Sequence, residues 1–315
     1  MQLKISMPIF LVSLCLFLNA FATLAETQMT VSSGKLVTIK AFPSNFINER
    51  QVMIWLPDGY SKSKKYSVLY MHDGQMLFDA STTWNQQEWG VDETAGQLQK
   101  MQQTKPFIVV GVFNGDSLRY SEYLPQKPWE ALSEEQQRQV AGFATTPEKL
   151  LPANFIRSDN YLKFLVKELK PYIDEHYAVH TDRANTFVAG SSMGGLISMY
   201  AIGEYPEIFG GAACISTHWP GSSVLEWTSM TDQLLYYLKT SVPASGDHRI
   251  YFDYGDQTLD ALYPPMQNAA DQIMHEKGYN QSNWLTVFAK GAAHDEASWR
   301  ARLHRPLRFL MNEKK

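Results

Sequence analysis

Apolar residues recur along this chain with two alternating spacings. Short runs at residues 66–71, 107–113, 184–189, 211–215, 249–254 and 284–289 are rich in aliphatic and aromatic residues. Their length and their polar or glycine-bearing flanks predict buried strands. Between and after them, apolar positions return every three or four residues near 90–102, 157–177, 193–204, 224–239, 266–278 and 296–311, the spacing of amphipathic helices. Leu162, Leu165, Val166, Leu169 and Ile173 form one such stripe, read as core, and Pro171 inside it predicts a kink or a split. Strands alternating with helices predict an α/β fold: a mostly parallel central sheet with helices on both faces. An antiparallel N-terminal pair near 35–42 and 50–56 is expected to extend one edge.

Residues 114–155 show neither period, and a connection this long in one domain is usually functional or mobile. It carries Arg119, Tyr120, Tyr123, Trp129 and Phe143, expected at the rim of a pocket. Arg119 reads either as a substrate contact or as an ion-pair partner of Glu122. Trp84, Trp89 and Trp219 read either as walls of the same cleft or as ordinary packing.

The candidate chemistry centres on Val188-Ala-Gly-Ser-Ser-Met-Gly-Gly195, a G-x-S-x-G element entered from a strand and left by a helix. That context is what a nucleophile elbow requires: Ser192 at the tip of a strained turn, with Gly190 and Gly194 where a Cβ would clash. Ser191 is one position off the pattern and reads as a turn residue. On this plan the acid and then the histidine follow the serine in chain order. His275 falls in a helical pattern and His304 in the terminal one, whereas His294 lies on a small-residue loop after the strand 284–289. For the acid, Asp260 and Asp256 both lie on the loop after 249–254; Asp260 leaves more room for the chain to turn, and Asp256 stays open. Asp253, inside the strand, is expected to face away. Backbone N–H groups of Met193, after the nucleophile, and Gln75, after the strand 66–71, are the expected oxyanion donors. His72 and Asp73 have no partner ligands at metal spacing and read as a polar turn, so neither a metal nor a cofactor is expected.

With these pieces placed, the chain resembles the putative-esterase family of α/β-hydrolases, which includes esterase D, feruloyl and acetyl-xylan esterases, enterochelin-type esterases and mycolyltransferases. The resemblance spans about residues 35–312. It rests on Leu69 to Gln75, Val109 to Asn114 with Arg119, Glu122, Tyr123 and Pro125, and Gly190 to Gly195. Further along it rests on Ser216 with Trp219, Tyr254-Gly255 with Leu259-Asp260, and His294 with Trp299. It implies Ser192, Asp260 and His294 as a triad, with Met193 and Gln75 as oxyanion donors. Some enterochelin-type members work with a serine–histidine dyad, which leaves the acid the softest of these. A counterpart of the extra N-terminal domain of the cytoplasmic enterochelin esterases is not expected. The implied activity is hydrolysis of a carboxylic ester through an acyl-enzyme. Acyl transfer or peptide hydrolysis on the same fold, or a non-catalytic binding protein, are the alternatives.

Composition adds compartment. Lys4, the apolar run 9–18 and the small residues Ala20, Ala22 and Ala25 read as a secretory signal over residues 1–25, followed by one domain over 26–315. The run is too short for a span of about twenty residues, so stable membrane insertion after cleavage is not expected; an uncleaved anchor is the alternative. Export to the periplasm or outside suggests an acylated carbohydrate or a siderophore lactone as substrate. Of the two cysteines, Cys15 falls in the signal and Cys214 in the apolar run 211–215, so no intramolecular disulfide is expected. The formal charge is −4, from 28 basic and 32 acidic residues without a basic run, which gives no footing for nucleic-acid binding.

Overall fold

The structure is a computed structural model that describes residues 29–140, 155–222 and 225–312. The predicted strands form one sheet: β1 (Lys35–Phe42), β2 (Arg50–Leu56), β3 (Ser67–His72), β4 (Phe107–Val112), β5 (Thr186–Ser191), β6 (Gly211–Ile215), β7 (Arg249–Tyr254) and β8 (Trp284–Phe288). Its order is β1-β2-β4-β3-β5-β6-β7-β8. β2 runs antiparallel to both neighbours, and the pairs from β4 to β8 are parallel.

Helices cover both faces, which is why β3 and β4 are buried at every position. Val68 and Tyr70 face one core with Ile108, Val110 and Leu196, while Leu69 and Met71 face the other with Phe107, Val109, Trp89 and Leu307. Each such aliphatic side chain contributes about 1.5–3 kcal/mol by leaving water. The helices are α1 (Val91–Lys100), α2 (Arg119–Tyr123), α3 (Gln126–Glu130), α4 (Glu134–Val140), α5 (Ser158–Phe164), α6 (Lys170–His176), α7 (Met193–Glu204), α8 (Ser229–Thr240), α9 (Pro264–Glu276), α10 (Glu296–Arg302) and α11 (His304–Met311).

The stretch after β4, read as irregular, is helical in three places: α2, α3 and α4. None exceeds seven residues, too short to show a period. Phe143, expected on the same rim, lies outside the described residues, as do Cys15 and the expected signal segment. The stripe 157–177 is divided as Pro171 predicts. A π-helical turn, Leu165–Leu169, separates α5 from α6, and Pro171 sits in the first turn of α6. Proline lacks the N–H of the next rung and its ring crowds the carbonyl four residues back, so the widened turn relieves both. The terminal pattern also divides, between α10 and α11, with Pro306 in the first turn of α11. No helix of the described residues is long and apolar enough to cross a membrane.

Candidate active site

β3, β5, β6, β7 and β8 are parallel, so the loops leaving them emerge at the same edge of the sheet. Ser192 sits between β5 and α7 with φ 59° and ψ −122°, a backbone region that costs a non-glycine residue about 1–3 kcal/mol and must be held by its surroundings. Those surroundings are explicit. Ser192 N donates to Ile215 O at 2.9 Å, and Ser192 O accepts from Gly195 N at 3.0 Å and His218 N at 3.2 Å. Gly190 is required, because a Cβ there would lie 2.8 Å from Gly194 O. Gly194 is less constrained than expected: a Cβ on it would meet Asp73 and His72 at 3.6 Å, an ordinary contact. That contact also places the turn after β3 beside the elbow. Gln75 lies in that turn, Gly74–Met76, and a Cβ on Gly74 would strike Gly111 at 2.7 Å. Met193 is the first residue of α7, at the end of a helix where partial positive charge collects.

His294 lies on the loop after β8. Its Nδ1 meets Asp260 Oδ1 at 2.6 Å, and its backbone N–H donates to Thr258 Oγ1 at 2.9 Å. The edges of Tyr263 and Trp299 flank the imidazole at 5.8 and 5.1 Å between ring centres. Asp260 is wholly buried, and its Oδ2 accepts from Ser216 Oγ and Gly255 N, each at 2.6 Å. Burial pushes this carboxyl up, but the hydrogen bonds from His294 and Ser216 outweigh it and hold it below the ordinary carboxylate range. Asp256 is exposed and accepts from Gly291 N at 2.7 Å, which ties the two loops together without reaching a histidine. His275 is exposed on α9, with its ring against Trp284, and His304 opens α11.

The sequence model of the family described as "Putative esterase" matches residues 44–310. The chain belongs to the putative esterase family. It is therefore an esterase by class, built on the α/β-hydrolase sheet described above. A curated relative, the uncharacterized protein YbbA of Bacillus subtilis (strain 168), is 26% identical over 253 residues, 78% of this chain and 86% of the relative. Among solved structures, a ferulic acid esterase superposes with a TM-score of 0.61 at 20% identity, covering 88% of this chain and 98% of that one. The enterobactin esterase FES from Shigella flexneri superposes with a TM-score of 0.60 at 21% identity, over 90% of this chain and 60% of that one. At such identities these two structures carry the fold.

Around the Ser192 elbow of this esterase several expectations need correction. Arg119 does not pair with Glu122. It clamps Asp73, with Nε to Oδ1 at 2.7 Å and Nη2 to Oδ2 at 2.8 Å, while Glu122 is buried against Arg50 at 2.8 and 2.9 Å. His72 and Asp73 are more than a polar turn. His72 is buried with Nδ1 on the Tyr161 hydroxyl at 2.7 Å, and burial pushes its imidazole down to about 3. Trp219 does not wall a cleft, since it is 0% exposed and donates Nε1–H to Gln267 Oε1 at 2.9 Å. Trp89 is buried against Trp299, and of the three tryptophans only Trp84, 85% exposed, stands free. Among the described residues no group of three metal-ligating side chains converges. A cavity of about 1190 Å³ opens beside Lys64, Tyr66 and Pro106, at the start of β3 and β4, and so at the end of the sheet away from Ser192.

Asp253 does not face away from the site. It is wholly buried behind Asp260, where it accepts from Ser216 N at 3.1 Å and Tyr251 Oη at 3.0 Å and pairs with Arg302. Arg302 had no sequence signal, because its partner Ser216 is 86 residues away. His218 was also missed. Its Nε2 donates to Ser222 O at 2.6 Å and its Nδ1 accepts from the Tyr263 hydroxyl at 2.8 Å. Burial pushes it down to about 4. Its only signal was its place three residues past a strand end.

Proposed function

We propose that this esterase hydrolyses its ester through a covalent acyl-enzyme on Ser192. His294 takes the Ser192 proton as the hydroxyl attacks the carbonyl carbon, and Asp260 fixes the imidazole tautomer and stabilises its cation. The N–H groups of Met193 and Gln75 receive the oxyanion, a contribution of about 3–4 kcal/mol per donor in comparable sites. The leaving alcohol takes the proton from His294. Water, deprotonated by the same imidazole, then releases the acid and regenerates Ser192. The observation that carries the reading is the 2.6 Å contact of His294 Nδ1 with a buried, ionised Asp260, which leaves Nε2 for the serine.

Arg119 is proposed as the substrate contact, because its guanidinium is locked by Asp73 while its side chain stays 31% exposed. The substrate is proposed to be an acylated carbohydrate or a siderophore lactone. The structural likeness to a ferulic acid esterase and an enterobactin esterase supports that choice. A cleaved leader at 1–25, one domain over 26–315 and a periplasmic or secreted location belong to the same proposal. The test is Ser192→Ala. p-Nitrophenyl acetate turnover should fall by several powers of ten, and labelling by a fluorophosphonate should vanish with the circular dichroism unchanged. Near-normal turnover by the purified variant ends the reading.

A further inference from the structure

Ser216 has an unusual set of neighbours. Its hydroxyl oxygen accepts from Trp299 Nε1 at 3.1 Å and from Arg302 Nη2 at 2.7 Å. An indole and a guanidinium can only donate, so the Ser216 proton has one acceptor left, Asp260 Oδ2 at 2.6 Å. With Gly255 N also on Oδ2, that oxygen is saturated and Oδ1 faces His294. Behind Ser216, Arg302 donates Nη2–H to Asp253 Oδ1 at 3.1 Å, has Nε 3.1 Å from Oδ2, and lies 3.7 Å from Asp260 Oδ2. Asp253 and Asp260 are 0% exposed and Arg302 is 4% exposed. Two buried carboxylates and one guanidinium leave one negative charge uncompensated, the charge an imidazolium at His294 would neutralise.

We propose that Ser216, Arg302 and Asp253 are positioning residues that orient the acid and set the charge presented to His294. The inference rests on the Ser192–His294–Asp260 reading. The other titratable or charged groups facing this cluster are Cys214 on β6, His218 after β6, Tyr251 on β7, Tyr263 after β7, and Arg305. None of them is altered in the test.

The experiment is the pH profile of kcat/KM for p-nitrophenyl acetate, whose acidic limb reports protonation of the essential base. Arg302→Gln removes a positive charge and should move that limb up by about half a pH unit or more, and Asp253→Asn should move it down by a similar amount. The double variant restores the charge and should return the midpoint to its original place. Ser216→Ala should lower kcat about ten-fold with KM little changed, as supporting hydrogen bonds commonly do. If the variants lose activity with an unmoved midpoint, or if both single changes shift it the same way, the residues are merely structural and the proposal is overturned. Should Arg302→Gln not fold, Asp253→Asn alone decides by the direction of its shift. Failure of the underlying reading looks different, since Ser192→Ala would then keep its fluorophosphonate label whatever the midpoints do.

Discussion

Asp260 and Asp256 lie four positions apart on one loop, and burial separates them. Asp260 is sealed from water with both oxygens engaged, whereas the Asp256 carboxylate lies in solvent and pins Gly291. An amide at 260 would present its N–H₂ to an imidazole that also needs to donate, and so would favour the wrong tautomer. Asp260→Asn is therefore expected to lower kcat by about 10³–10⁴-fold, the scale seen when the acid of a triad is neutralised. Asp256→Asn should cost less than about three-fold, because surface hydrogen bonds contribute little. Steady-state kinetics on the two purified variants decides between them, and a larger loss at 256 would reverse the assignment.

At the scale of elements, the elbow is a junction between β5, α7 and the end of β6. Gly190 is the point where the strand lies against the helix, and Gly194 is the partner it touches. Gly190→Ala is expected to lower unfolding stability by about 1–3 kcal/mol, as overpacking does elsewhere. Gly194→Ala should stay within about 1 kcal/mol, since a Cβ there finds room and alanine suits a helix. Urea unfolding with a common m-value measures both, and equal losses would mean that the two glycines share one constraint. Strand and helix positions were legible because the central strands are short, largely apolar runs and most of the helices carry a stripe. The strained turn at Ser192 was legible from a local motif, and the contact of Asp260 with His294 from chain order. The short helices α2, α3 and α4 were not, because five to seven residues do not span enough turns to show a period. Neither were Arg50–Glu122, 72 residues apart, nor Ser216–Arg302. Such pairs are written only in the folded topology.

For the whole molecule, buried imidazoles shape the response to acid, and burial pushes down all three of those among the described residues, His72, His218 and His248. His72 is held down to about 3 and His218 to about 4, in both cases by burial. An unfolded histidine takes up its proton near pH ~6.5. The stability these residues confer is therefore complete above that pH and is lost as the pH falls from there towards their folded values. Each contributes a slope of about 1 kcal/mol per pH unit through this window. Asp260 and Asp73, held below the ordinary carboxylate range, add further loss only below pH ~4. The melting temperature should thus fall between pH 6.5 and 5, before the carboxylates titrate, and His72→Gln should flatten part of that slope. Thermal unfolding at three pH values checks it, and a flat profile over that range contradicts it.

Cys214 lies in β6 opposite Gly190, beside the turn that carries Ser192, with no access to solvent. Burial raises its thiol far above the usual value, so the native protein offers no thiolate there. A sulfhydryl reagent can reach that sulfur only when the middle of the sheet opens, and that opening also dismantles the floor of the elbow. Modification at this one atom therefore acts as a clock for breathing of the elbow, and it runs without any reporter group having to be introduced.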